Sequence, residues 1–235
     1  MLWLAVACVG VFGDQQGAPI ALADAARIPR HVYLTYWDPN RVPQHVHDAL
    51  ARHAENYTVH WYDNQDCERY MKAHADAHTQ RVYASLQRGA HRADLWRYQI
   101  LYDRGGVYLD ADVKPTARLD AVFQPPTAAH TVISMGGDAI FQAILATPPR
   151  NPLLLQLLRQ ARHLSSAWQD YDTYTHQMYD ALQAELGSVM ADVTYDGWRL
   201  MQERCVAGHD KYGLHCEVWQ RGRPVFVSRV DDYPY

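Results

Sequence analysis

The residues with the most chemical potential lie between positions 92 and 114, RADLWRYQILYDRGGVYLDADVK. The second half of this run alternates: Val107, Leu109, Ala111 and Val113 are apolar, while Tyr108, Asp110, Asp112 and Lys114 are polar. The alternation predicts a strand over Val107 to Val113, which would put both carboxylates on one face. Two carboxylates side by side repel each other unless a cation sits between them. A hard divalent ion with oxygen ligands, Mg²⁺ or Mn²⁺, is the natural partner, and substrate phosphates would complete its shell. A D-x-D tripeptide alone is common, and its plain alternative is an edge strand whose acids face water.

The first half of the run adds to the pair. Asp94 and Arg97 are three apart on a predicted helix and so share a face. Gly105-Gly106 would end that helix and turn the chain sharply into the strand. A carboxylate able to hold hydroxyls and a guanidinium able to hold phosphate or sugar oxygens would then converge on the Asp pair. Read without the neighbouring motif, Asp94 and Arg97 would be a surface ion pair worth roughly 0.2–0.5 kcal/mol.

The full pattern, A-D-x-x-R-Y-x-x-L-Y-x-x-G-G-V-Y-L-D-x-D-V, resembles the DXD sugar-binding region of glycosyltransferase family 32 and its relatives. These include mannosyltransferases, α-1,4-galactosyl- and N-acetylglucosaminyltransferases, capsular polysaccharide enzymes and the clostridial glucosylating toxins. Ile28-Pro29 leading into HVYLTYW resembles the family's I-P-K-x-I-H-x-x-W opening, so the likeness covers roughly residues 28 to 165. It implies a GT-A fold, a nucleotide-sugar donor, Mn²⁺ or Mg²⁺, and hexose transfer with retention to a glycan, lipid-linked or protein hydroxyl. Carried over by position, Asp94 and Arg97 would bind hydroxyls of the donor sugar, and Asp110 would contact the ribose or sugar and help hold the metal. Asp112 would be the direct ligand, and Tyr108 would line the pocket. Thr35, Tyr36 and Trp37 fall where such enzymes place the nucleoside base; otherwise they are an ordinary buried strand end. Asp138 and Gln142, in the segment after the next strand, would border the acceptor, against readings as a helix N-cap and a solvent position. The family's T-G-P motif is missing, and the comparable region reads DYDTYTHQMYDAL. A C-terminal histidine often completes the metal shell of GT-A enzymes, which makes His209 a ligand candidate, with His215 and Asp231-Asp232 as others. No general base is assigned.

The elements that must position these groups alternate from Ile28 onward. His31 to Trp37 reads as a strand, Pro43 to about His53 as a helix, Thr58 to Tyr62 as a strand, and about Gln65 to Ala75 as a helix. A further helix begins at Thr79 or Ala90 and runs to Arg104. Thr131 to Ser134 is a strand, Leu153 to His163 and Tyr174 to Leu186 are helices, and the last 35 residues look like short strands and loops. This order predicts one α/β domain over 24–235, with a mixed, mainly parallel central sheet flanked by helices.

Composition sets the limits. The chain has 235 residues, 22 basic against 26 acidic, for a net charge of −4. That excludes a nucleic-acid or other polyanion binder working through bulk charge, so any phosphate must be held by a metal or a few placed groups. Four cysteines are too few for a disulfide scaffold. Leu2 to Phe12 is an apolar run of eleven, too short to span a bilayer but suited to a leader cleaved after Ala23. No basic residue precedes it, so a buried strand or a truncated gene start is the alternative. Cys205 and Cys216 in CVAGHDKYGLHC suit a local disulfide, and Asn56-Tyr57-Thr58 is a glycosylation sequon. Together these favour the secretory pathway or Golgi lumen over the cytoplasm. Two rival functions remain. One is a nucleotide-sugar or carbohydrate binder that has lost turnover. The other is a haloacid-dehalogenase-type phosphatase with Asp110 as nucleophile and Asp112 as acid/base. The latter fold starts with its D-x-D strand, whereas roughly 100 residues precede it here.

Overall fold

The computed structural model describes residues 27–125, 128–161, 172–195, 197–208 and 214–228. The expected leader, His209 and Asp231-Asp232 lie outside them. The chain begins with β1 (His31–Thr35), passes a short 3₁₀ turn, and enters α1 (Gln44–His53) directly after Pro43. It then forms β2 (Thr58–Tyr62) and α2 (Asn64–His74), whose start is fixed by a reciprocal cap between Asp63 and Asp66. The single helix expected from Thr79 or Ala90 is two: α3 (Ala77–Ser85) and α4 (Gly89–Arg104), separated by an extended break at Leu86.

The strand that carries the motif is shorter than its alternation suggests. β3 covers Gly106–Leu109, and the chain turns at once, with Val113 N–H donating to Asp110 O at 3.0 Å. Ala111 and Val113 are buried as predicted, but by a turn rather than by strand pleating. The expected strand to Val113 is therefore corrected, and the two carboxylates share a turn instead of a face. The chain rejoins the sheet as β4 (Lys114–Pro115), followed by α5 (Leu119–Val122), β5 (Ala129–Ile133) and β6 (Ile144–Thr147). Helices α6 (Pro152–Ala161) and α7 (Thr173–Leu186) come next. After β7 (Val193–Tyr195), the described part of the last 35 residues, expected as short strands and loops, holds most of β8 (Trp198–Ala207), then β9 (Leu214–Gln220) and β10 (Arg223–Ser228).

The ten strands among the described residues form one sheet in the order β2-β1-β3-β6-β5-β8-β9-β10-β4, with β7 alongside β8. The ladders β1–β2, β1–β3 and β5–β8 are parallel, and the other six are antiparallel. The α/β architecture stands, but the sheet is mixed without being mainly parallel. Short links between β7, β8, β9 and β10 permit only hairpins, and these three ladders account for the excess. Central strands are apolar on both faces because each face is covered. Tyr33, Tyr108 and Ile133 point into a core closed by α2, α4, α6 and α7, while Val32, Val107, Leu109 and Val132 point into a second core shared with α1.

The glycine pair is needed where α4 meets β3. Gly105 has φ +62 and ψ −172, a conformation essentially reserved for glycine, and a Cβ there would lie 2.5 Å from Pro149 N. Gly106 has φ +113, and a Cβ would lie 2.8 Å from His31 O. The chain reverses tightly enough to lay the end of β3 beside the middle of α4.

Candidate active site

A cavity of about 650 Å³ opens where β1, β3 and β5 end, roofed by α4 and closed on the far side by β8 and the start of α7. Ligands of open α/β sheets bind in this position, outside the carboxyl ends of the strands. Thr35, Tyr36, Trp37, Asp94, Arg97, Tyr108, Asp110, Asp112 and Gln142 all line it. The run that reads as chemistry in the sequence is thus brought into one concave space.

Arg97 organises the near wall. Its side chain is 5% exposed, and one terminal nitrogen reaches Asp94 Oδ1 at 3.1 Å and Asp110 Oδ1 at 3.3 Å. The other terminal nitrogen donates to Gln142 O at 2.6 Å, and the guanidinium lies over the Tyr108 ring, 4.3 Å from its centroid. Tyr108 O–H donates to Asp110 Oδ1 at 2.6 Å, and its oxygen is 3.2 Å from Thr35 Oγ1. Burial pushes the Tyr108 hydroxyl well above its ordinary range, so it stays a proton donor to Asp110. Burial also raises Asp94 to about 6; Arg97 opposes the shift and Asp110 adds to it. The surface ion-pair reading of Asp94 and Arg97 fails, because both are buried.

The remaining expected residues sort by position. Tyr36 is buried and its N–H donates to Tyr62 O, whereas Trp37 is 48% exposed at the rim beneath the Arg41 guanidinium. Gln142 is buried rather than solvent-facing: its amide donates to Tyr98 Oη and to Tyr174 O. Asp138 is exposed on the turn after β5, and the next element is a strand, so it caps no helix. His215 is exposed on β9, 3.6 Å from Glu217. Cys205 and Cys216 form a disulfide joining β8 to β9, and Cys67 is a buried thiol.

One residue absent from the sequence reading stands in the far wall. Glu203 of β8 is buried, lines the cavity, and accepts from Met135 N at 3.3 Å. Its only sequence signal is an acid at an inward phase of WRLMQE, which is visible once β8 is known to be a strand.

The implied metal can be tested against the donor set. Among the described residues, the cavity lining carries five carboxylates (Asp94, Asp110, Asp112, Asp172 and Glu203) against the guanidiniums of Arg92 and Arg97. A diphosphate entering so acidic a space requires a cation. Asp110 directs both its tyrosine and arginine contacts to Oδ1, leaving Oδ2 as the oxygen to offer. Mg²⁺ and Mn²⁺ are commonly held by one or two carboxylates plus substrate phosphates, and Asp110 with Asp112 supply that set. The tighter cluster of Glu203 with Cys205 and Cys216 is no rival, because its two sulfurs are bonded to each other. The residues fit the ion.

Residues 39–129 match the family model described as the glycosyltransferase sugar-binding region containing the DXD motif. Over this region the chain is similar to glycosyltransferases of family 32. It is 26% identical over 208 residues to inositol phosphoceramide mannosyltransferase 3 of Schizosaccharomyces pombe, covering 87% of this chain and 54% of that protein. It is 24% identical over 180 residues to mannosyl phosphorylinositol ceramide synthase SUR1 of Saccharomyces cerevisiae, covering 74% and 44%. The chain thus spans about half the length of these curated relatives. Among solved structures, the PaToxG glycosyltransferase superposes with a TM-score of 0.54 at 14% identity, covering 69% of this chain and 73% of that one. The shared fold is GT-A, and the phosphatase reading, which needs a different fold, is set aside.

Proposed function

We propose that this chain is a metal-dependent, retaining glycosyltransferase that moves a hexose from a nucleotide-diphosphate sugar to a hydroxyl acceptor. The observation that carries the reading is the buried fork of Arg97 between Asp94 and Asp110, set beside Asp112 at the mouth of an acidic cavity. Asp94 accepts hydroxyls of the donor sugar, while Arg97, always charged, holds sugar or phosphate oxygens. Tyr108 fixes the rotamer of Asp110. Asp110 and Asp112 hold Mn²⁺ or Mg²⁺, which when bound stabilises the leaving oxygens as a Lewis acid. The carboxylates near the ring favour the positive charge that develops as the sugar–phosphate bond breaks. The acceptor attacks from the same face, and the leaving phosphate takes its proton. Thr35, Tyr36 and the exposed Trp37 receive the base, and Gln142 and Asp138 border the acceptor. His209 remains a proposed third ligand.

Both curated relatives are named for adding mannose to an inositol phosphoceramide or for making its mannosylated form, so mannose and a lipid-linked polyol are the first pair to test. The Cys205–Cys216 disulfide supports an oxidising compartment, the secretory pathway or Golgi lumen. No helix among the described residues is long and apolar enough to cross a membrane.

A thermal-shift screen of UDP-, GDP-, CMP- and dTDP-sugars with and without Mn²⁺ tests the reading. A ligand at a hundred times its Kd stabilises the native state by about 2.7 kcal/mol, so the true donor stands out when Mn²⁺ is present. Absence of any Mn²⁺-dependent shift overturns the proposal. A shift without release of nucleoside diphosphate makes the chain a binder.

A further inference from the structure

The two walls of the cavity lie on different strands. Asp110 follows β3, and Glu203 belongs to β8, with β6 and β5 between them. Three strand spacings put their backbones about 14 Å apart along the sheet. That gap is wider than one sugar ring and suits two groups side by side. With the donor sugar against Asp94, Arg97 and Asp110, the second group is the acceptor, and the wall it meets contains Glu203.

Glu203 is held in this wall from three directions. β5 and β8 run parallel with Ile133 opposite Gln202, so Glu203 is placed where β5 gives way to its terminal turn. Met135 N–H, from that turn, donates to Oε2 at 3.3 Å. A carboxylate oxygen of Glu203 and the sulfurs of Cys205 and Cys216 lie within 4.8 Å of one another, so the disulfide stiffens the hairpin behind the carboxylate. Ser134, directly after β5, lines the cavity as well, and among the described lining residues the two guanidiniums, Arg92 and Arg97, both belong to α4.

We propose that Glu203 is the acceptor-side carboxylate of this site, accepting a hydrogen bond from a hydroxyl of a polyol acceptor and orienting it toward the donor sugar. The assignment rests on the glycosyltransferase reading for the identity of the second ligand. A carboxylate recognises a neutral polyol or sugar and repels an anionic group placed directly against it, so the acceptor presents hydroxyls to this wall.

Two measurements on the full chain test it. The first is saturation-transfer NMR with myo-inositol and methyl α-mannoside as polyol probes, comparing wild type, Glu203→Gln and Glu203→Asp. The second, with the donor chosen by the thermal-shift screen and Mn²⁺ present, is the ratio of sugar transferred to the polyol to sugar released to water. Loss of a hydrogen bond to a charged group predicts a rise in acceptor KM of about ten- to a hundredfold in Glu203→Gln. The transfer-to-hydrolysis ratio falls by a similar factor, donor KM stays unchanged, and Glu203→Asp lies between. If Glu203→Gln fails to fold, the conservative Glu203→Asp carries the same comparison. An unchanged acceptor KM and ratio overturn the proposal. So does a loss of transfer and hydrolysis in equal proportion with a lowered Tm, which marks Glu203 as structural, and so does a wild type that binds neither polyol. A wild type that binds polyol through Glu203 but no nucleotide sugar removes the glycosyltransferase reading and with it the acceptor role, leaving Glu203 as a polyol-binding carboxylate.

Discussion

The near and far walls of the cavity are built in contrasting ways. On the near wall, Asp94, Arg97, Tyr108, Asp110 and Asp112 come from one continuous run, folded back on itself by Gly105-Gly106, and a single guanidinium ties two of the carboxylates together. On the far wall, Ser134, Asp172, Thr175 and Glu203 come from three separated stretches of chain, and a disulfide hairpin supplies the rigidity. A wall made from adjacent residues can be fixed by local turns and a buried ion pair. A wall assembled from distant strands depends on the sheet register and a covalent brace. The first kind leaves a spaced motif in the sequence, whereas the second leaves isolated residues.

If Arg97 is the brace of the near wall, Arg97→Ala should be the most damaging single change. It strands Asp94 and Asp110 in a partly buried site, at a cost of about 3–5 kcal/mol. Denaturant unfolding measures it. Arg97→Lys keeps the charge but loses the fork, and should recover only part of the loss. For the far wall, the double change Cys205→Ser with Cys216→Ser should cost about 2–3 kcal/mol through restored freedom of the unfolded chain. Its effect on acceptor KM should exceed its effect on donor KM; equal effects would erase the contrast between the walls.

The turn joining α4 to β3 gives a smaller effect. Gly105→Ala forces a side chain into a glycine-only conformation against Pro149, for about 1–3 kcal/mol, read as a lower Tm. A pH-dependent effect lies between the walls, at β5. Burial, with Arg199 and Arg221 acting in the same direction, holds the His130 imidazole down to about 3. A histidine depressed below its unfolded value of about 6.5 contributes stability that is complete above that pH and lost as pH falls toward 3. Unfolding measured across that window should show a slope in the wild type that His130→Gln reduces; identical slopes would contradict the assignment.

The same contrast explains what could be read from residues alone. β1, β2 and the helices around them follow from β-branched and aromatic runs, from Pro43 and from the Asp63 cap. The convergence of Asp94 and Arg97 on Asp110 follows from helix spacing plus the double glycine. The end of β3 did not follow, because Ala111 and Val113 are buried and so mimic a strand although Val113 N–H closes a turn. β8 is hidden in the sequence by Arg199 and Glu203, polar residues at buried positions that a half-buried strand would keep apolar. Missing β8 concealed Glu203 as well. Gln142, a plausible solvent residue by sequence, is a wall brace because Tyr98 and Tyr174 arrive from two different helices.

The central claim is that the near wall holds a divalent ion against a nucleotide sugar through Asp112. Its most direct test is the release of nucleoside diphosphate by the wild type and by Asp112→Asn, side by side, at saturating donor and Mn²⁺. The account predicts release by the wild type that is abolished by chelation, and a fall of at least about a thousandfold in Asp112→Asn with Tm essentially unchanged. An Asp112→Asn protein that releases nucleoside diphosphate at the wild-type rate would contradict it.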